Sequence, residues 1–253
     1  MQNKRFESFA DAVADIPDGA SILIGGFGPG TPHNLIKAIF EQGAKDLTLI
    51  LNSVGAGRAS SGFVSTASLI EGRRVKKVMA AFTAATHPSQ RAAIEDLQET
   101  GEIEAELMPQ GTLAERIRCG GVGIPAFYTP AAVGTELAAG KEHRVFDGRT
   151  YLLAEAITAD YAFVRARRAD DFGNLVYQGS ERNFNPLMAT AARCTIVETE
   201  QILPVGDLDP NHVHTPGIYV SRMVQIPPGG ILHAPRGGEP ILVPAATERA
   251  SGA

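Results

Sequence analysis

Ser21-Ile22-Leu23-Ile24-Gly25-Gly26-Phe27-Gly28-Pro29-Gly30-Thr31-Pro32 reads as an apolar strand that runs into glycines and then into a helix start. Pro17-Asp18-Gly19 makes the turn before it, because Pro fixes φ and Gly accepts a positive φ. Thr31 suits an N-cap and Pro32 the first helical position, where a missing N–H costs nothing. Four glycines within the six residues Gly25 to Gly30 leave the backbone open to close approach by a ligand. Their N–H groups, with the helix N-terminus, favour a negatively charged or polarised oxygen. No register of the loop fits a dinucleotide G-x-G-x-x-G, and the Walker lysine is absent. A tight strand-to-helix turn that needs glycine for geometry alone is the competing reading.

The 253 residues of the chain make one large domain or two small ones. Hydrophobic residues at 44% and charged residues at 20% place the chain among ordinary globular proteins. A net charge of -5 provides no basic field for a phosphate backbone, so nucleic acid is not an expected partner, while small acidic ligands remain open through local donors. Cys119 and Cys194 stand far apart, form no CxxC, and read as reduced buried thiols. The first ten residues hold no apolar signal core and no run of eighteen apolar residues occurs, so the expectation is a cytoplasmic protein without a membrane partner.

The first half alternates strands and helices. Leu35, Ile36, Ile39 and Phe40 recur at helical spacing and Gly43 ends that helix. Leu47 to Leu51 is a continuous apolar strand, as expected where both faces of a parallel sheet are covered. It ends in Asn52-Ser53-Val54-Gly55-Ala56-Gly57, a second loop of small polar residues. Val75 to Ala81 reads as a strand, Pro88 to Thr100 as a polar helix, and Ile103 to Met108 as a strand. On that last strand Glu102, Glu104 and Glu106 share one face, which alternation explains as a solvated or helix-covered polar face rather than a catalytic or metal cluster.

Pro109-Gln110-Gly111-Thr112 opens the next helix, with Thr112 and Glu115 read as a capping box and Gly120-Gly121 as the helix end. Gln110 then lies between a strand end and a helix start, where ligands gather in open α/β sheets. Its amide suits a carboxylate or carbonyl oxygen, or it caps its own backbone. The stretch from Gly123 to Gly148 reads as a long structured loop. Strands resume at Thr150 to Leu153 and Tyr161 to Arg167, Asp170 to Asn174 turns into a strand at Leu175 to Tyr177, Asn183 to Pro186 opens a short helix, and Cys194 to Glu198 is a late strand. His212-Val213-His214 would put two imidazoles on one strand face, a spacing compatible with zinc, but no third ligand follows and no metal site is expected. We divide the chain into a domain over 1–225 and a loosely structured or partner-contacting tail over 226–253, where Pro, Gly and Ala dominate without periodicity.

Five separated motifs carry a family resemblance: Asp18-Gly19 with Ile22 to Phe27, Pro109 to Arg118, Gly123 to Pro130, Asn183-Phe184-Asn185, and His214 to Val220. In this order they resemble the α subunit of the family I 3-oxoacid CoA-transferases over Phe6 to Val220. The resemblance implies an α/β fold with an open, mainly parallel sheet flanked by helices. It implies CoA moving from a succinyl-CoA-like acyl-CoA to a 3-oxoacid such as acetoacetate or 3-oxoadipate. The nucleophilic glutamate would belong to a separate β subunit, in an α2β2 heterotetramer. This chain would supply no catalytic nucleophile and need no cofactor beyond the CoA thioester as substrate. Its substrate-binding residues would be Gly25, Gly26, Phe27, Gly28, Asn52, Ser53, Gln110 and Gly111. Two departures are visible. The glycine loop is one residue shorter than the family pattern, and Ser53 replaces the second of two usual asparagines. A hydrolase or ring-opening enzyme on the same scaffold, and a non-catalytic binding or regulatory subunit, are the alternatives.

Overall fold

A computed structural model describes residues 3–54, 62–84, 91–233 and 240–244 of the chain. Part of the loop expected after Ser53 and the start of the helix expected at Pro88 lie outside these residues. The chain opens with α1 (Phe9–Val13) and β1 (Ser21–Ile24), followed by α2 (His33–Gln42), β2 (Leu47–Ser53), α3 (Thr66–Glu71), β3 (Val75–Phe82), α4 (Ala93–Glu99) and β4 (Glu104–Leu107). Then come α5 (Gln110–Val122), β5 (Ala126–Thr129), β6 (His143–Phe146), β7 (Arg149–Glu155), β8 (Ala159–Asp170), β9 (Leu175–Val176) and α6 (Asn185–Thr190). The remaining strands are β10 (Ala192–Leu203), β11 (Arg222–Gln225), β12 (Ile231–His233) and β13 (Ile241–Leu242).

The main sheet runs β11-β10-β8-β1-β2-β3-β4, with every neighbouring pair along this path parallel and β9 added antiparallel to β8. Chain order reverses between β1 and β8. That reversal is a topological switch point, where connections leaving the carboxyl ends of adjacent strands diverge to opposite faces and open a crevice. Both faces are covered, which explains the near-continuous apolar strands. On one face Ile22, Ile24, Leu49 and Val78 pack with Leu35, Ile36 and Ile39 of α2. On the other, Leu23, Ile50 and Val164 pack with Leu113 and Ile117 of α5 and Met188 of α6. Each fully buried side chain of this kind contributes about 1.5–3 kcal/mol relative to exposure. Among the described residues no helix is long and apolar enough to cross a membrane.

Several expectations are corrected by packing. Helix α2 begins one residue later than expected, with Pro32 as N-cap, and the Thr31 hydroxyl donates to Gly28 O at 2.9 Å instead of capping. Helix α5 begins at Gln110, not after Thr112; Glu115 pairs with Arg118, so no capping box forms. Gly120 and Gly121 lie inside α5, and Gly123 (φ 77°) caps it. Gly120 is needed for contact: a Cβ there would stand 1.9 Å from Ile157 O. The segment read as a long loop contains β5 and β6, which join β7 in a separate antiparallel sheet of order β5-β7-β6. His212 ends a short 3-10 helix rather than sharing a strand with His214. Cys119 is buried, as expected, whereas Cys194 is only partly so. Beyond Ile226, β12 and β13 pair as a small antiparallel sheet.

Candidate functional site

The glycine loop leaves β1 at the switch point and is braced from α6. Gly25 N–H donates to Phe163 O at 2.9 Å, and Phe27 N–H to Pro29 O at 3.1 Å. The amide of Asn183 donates to Pro29 O at 2.9 Å and that of Asn185 to Gly30 O at 3.0 Å, while Asn185 Oδ1 accepts from Arg165 N–H. Glycine is dictated here by crowding. A Cβ at Gly25 would stand 2.0 Å from Asn185 Oδ1, and one at Gly26 (φ 101°) 2.4 Å from Thr31 Oγ1. Gly28 (φ 74°) faces open space. Among the described residues, the N–H groups of Gly26 and Gly28 find no acceptor; Gly26 is buried, whereas Gly28 is exposed and its N–H stays available as a donor.

Beside the loop lies an open hollow of about 340 Å³, lined by Phe27, Gln110, Gly111, Ala114, Asn183, Phe184 and Leu187. Phe27 is 53% exposed. Gln110, the first residue of α5, donates from Nε2 to Oδ1 of buried Asn52 at 2.6 Å. The bond fixes the amide and leaves its other N–H and Oε1 for a ligand. The structure thus brings Phe27, Asn52, Gln110 and Gly111 together, next to the Gly25 to Gly28 turn. Ser53 is set apart. Leu47, Leu49 and Leu51 face the α2 side and Ile50 the α5 side, so strand alternation sends Asn52 towards Gln110 and Ser53 to the opposite face.

The electrostatics separate two helix ends that look alike in sequence. The first N–H groups of α2 are already occupied: Glu198 Oε2 accepts from Asn34 N–H at 2.9 Å and Leu35 N–H at 3.1 Å. Glu198 is fully buried, and burial pushes its pKa up to about 7 against the opposing pull of Arg165, whose Nη1 lies 3.9 Å away. His33, also buried and near Arg165, is pushed down to about 4, first by desolvation. The free helix end is that of α5, whose first-turn N–H groups meet the hollow and carry the positive end of its dipole. Among the described residues no carboxylate, thiol or hydroxyl lines the hollow. The arrangement can bind and orient a small oxyanion beside an apolar group, but it offers no nucleophile.

Asn183, Phe184, Leu187 and Ala114 were not singled out as site residues by sequence reasoning. The available signal was Asn183-Phe184-Asn185 directly before the Pro186 helix start. Arg165 and Glu198 were signalled only as charges inside apolar strands. The three glutamates around β4 are tied up structurally: Glu102 with Arg73, Glu104 with Lys77, and Glu106 with Lys77 and Arg116. His214 Nδ1 accepts from Tyr177 N–H at 3.0 Å and His212 lies 3.2 Å from Asp209, so the two imidazoles serve separate contacts. Among the described residues no group of three or more His, Cys, Asp or Glu could hold a metal ion.

Residues 6–225 match the family model described as Coenzyme A transferase. The chain is 46% identical over 222 residues to a Bacillus subtilis (strain 168) protein named as the probable A-subunit of succinyl-CoA:3-ketoacid coenzyme A transferase, covering 87% of this chain and 89% of that one. It is 44% identical over 227 residues to the A-subunit of the 3-oxoadipate CoA-transferase of Pseudomonas putida, covering 89% and 95%. Among solved structures, an acyl-CoA transferase from E. coli O157:H7, crystallised as a thioester complex with CoA, superposes with a TM-score of 0.76 at 23% identity. That match covers 95% of this chain and half of the other, and it shows the shared fold.

Proposed function

The chain belongs to the coenzyme A transferase family, and from that premise we propose that it is the α subunit of a 3-oxoacid CoA-transferase, holding the small acid against a nucleophilic glutamate supplied by a β partner. The naming of both relatives as one subunit of their enzymes supports a divided enzyme, and we assign an α2β2 assembly acting in the cytoplasm. The donor is a succinyl-CoA-like thioester and the acceptor a 3-oxoacid such as acetoacetate or 3-oxoadipate. The CoA thioester is substrate, and no further cofactor enters. The observation that carries this reading is the hollow itself: a fixed amide and free backbone donors beside apolar walls, with no nucleophile among the described lining residues.

In the proposed reaction the partner's glutamate carboxylate attacks the thioester carbonyl and the C–S bond breaks, leaving an acyl-glutamyl anhydride and CoA thiolate. The thiolate then attacks the glutamyl carbonyl, releasing the first acid and leaving a glutamyl-CoA thioester. The acceptor carboxylate repeats the exchange in reverse. Covalent splitting of this kind replaces one difficult exchange with easier steps. Each step passes through an oxyanion, which the Gln110 amide and the exposed Gly28 N–H group stabilise with little reorganisation. To test this, the chain co-expressed with its partner is incubated with succinyl-CoA, trapped with borohydride, and mapped by mass spectrometry. A modified glutamate on the partner, with CoA transfer dependent on the acceptor, is the expected result. A modified glutamate within residues 1–253 overturns the divided site, and CoA release without an acceptor replaces transfer by hydrolysis.

A further inference from the structure

The small β5-β7-β6 sheet has two edges, and only one is flanked by prolines. Edge strand β5 is bracketed by Pro125 and Pro130, which donate no hydrogen bond. In the main sheet, β4 carries Glu104 and Glu106, and β11 is covered by the N-terminal segment through Phe6 N–H to Met223 O and Met223 N–H to Lys4 O. Strand β6, His143-Arg144-Val145-Phe146, is exposed at all four residues and holds no proline or bulge. Such an edge is a template for another strand.

Which groups point outward follows from register. Leu153 N–H donates to Glu142 O at 2.9 Å, and His143 to Phe146 lie opposite Leu152 to Arg149. Antiparallel pairing alternates, so Arg144 and Phe146 bond to β7 and the backbone groups of His143 and Val145 face away from the sheet. Side chains alternate as well. Arg144 and Phe146 share a face with Tyr128 and Tyr151, where the Phe146 ring lies 5.4 Å from each tyrosine ring and the Arg144 guanidinium 5.6 Å from the Tyr128 ring. Val145 shares the other face with Leu152; Leu152 is buried, yet Val145 is 63% exposed at the overhanging edge.

We propose that β6 is the contact between two copies of this chain, pairing antiparallel with itself about a two-fold axis at Val145. The argument is self-complementarity, which a two-fold contact requires. Centred on Val145, the pairing sets each Val145 against its copy and extends the apolar face begun by Leu152. It sets Arg144 opposite Phe146 of the other copy, continuing the arginine-aromatic face, while Asp147, in the left-handed hairpin turn, lies beyond the paired residues. Centring on Arg144 instead would oppose two like charges, which destabilises a sheet pair. The surface is distant from the hollow: α5 begins at the hollow with Gln110 and ends next to β5, and its 13 residues span about 20 Å. A β partner that reaches the hollow is therefore not required to cover β6. This contact concerns the chain itself and does not depend on the chemistry proposed above.

The test uses the full chain at about 50 µM in sedimentation equilibrium, by itself and together with its β partner. The expected result is self-association that Val145→Pro, which removes the central N–H, and Val145→Lys, which places like charges together, each weaken at least tenfold with unchanged circular dichroism. If the proline variant misfolds, the lysine variant decides. The register is read by Val145→Cys. A hydrogen-bonded antiparallel pair places its Cα atoms about 5.5 Å apart, within the reach of a disulfide, so mild oxidation should give a covalent dimer of this chain that the unsubstituted protein does not give. A monomeric chain, self-association indifferent to Val145→Lys, or a cross-link to the β partner instead of a second copy overturns the proposal.

Discussion

At position 110 an amide stands on the first residue of a helix, and Asn52 holds it from the end of a neighbouring strand. Replacing Gln110 with Ala should remove an oriented contact to a charged oxygen worth on the order of 1–3 kcal/mol. kcat/KM of the assembled enzyme should fall by roughly 5- to 150-fold by the conversion of 1.4 kcal/mol per tenfold. Steady-state kinetics for both substrates checks this, and an unchanged kcat/KM removes the contact. The glycines make a paired prediction. Gly26→Ala drives a Cβ into Thr31 and should displace the loop and destabilise the chain, whereas Gly28→Ala meets open space and pays about 1–2 kcal/mol for its left-handed backbone. The second variant should fold and assemble yet lose activity, which urea melts and turnover on the same samples separate. Sequence alone marked both as glycines of one loop. Only their neighbours, Thr31 for one and none for the other, distinguish them.

At the scale of elements, α2 takes its N-terminal cap from a side chain 164 residues away in sequence, Glu198, rather than from Thr31. A local cap is readable from residue type; a cap delivered by another strand is not. The cluster gives a pH dependence of definite sign. His33 has a folded pKa near 4 against an ordinary 6.5, so as pH falls from 6.5 towards 4 the unfolded chain binds a proton that the folded chain refuses, and stability is lost. Glu198, near 7 against 4.5, acts oppositely: the folded chain takes up its proton first, and stability rises as pH falls from 7 towards 4.5. His33→Gln should remove the first effect and leave the second. Relative to the parent, the variant should gain about 2 kcal/mol between pH 7 and pH 5, read from urea unfolding at both values. The C-terminal segment closes over the same cluster. Asn34 exchanges hydrogen bonds with the Ile231 backbone at 2.8 and 2.9 Å, and Arg165 donates to Leu232 O. Stopping the chain after Ile226 should therefore cost about 1–3 kcal/mol for each buried group left unpaired. A truncated chain with an unchanged unfolding midpoint would make the segment dispensable.

Across the whole molecule, the hollow forms where the parallel sheet changes winding direction, from a loop after β1, the end of β2, the start of α5 and the entry to α6. Because no nucleophile lines the hollow among the described residues, the purified chain alone should neither transfer CoA nor acquire a covalent label, and adding the partner should restore both. An assay of each component and of the mixture checks it. The parallel α/β architecture, most strands, the glycine turn and the family are legible without coordinates, because they rest on local signals: apolar runs, periodicity, turn residues and motif order. Contacts between distant segments decided which face of β2 meets Gln110, that Glu198 occupies α2 and leaves α5 free, and that Gly123 to Gly148 builds strands. Each of these depends on which side chains from distant segments arrive at the same place. Local preference cannot encode that arrival, because it is fixed only when both faces of the sheet are packed.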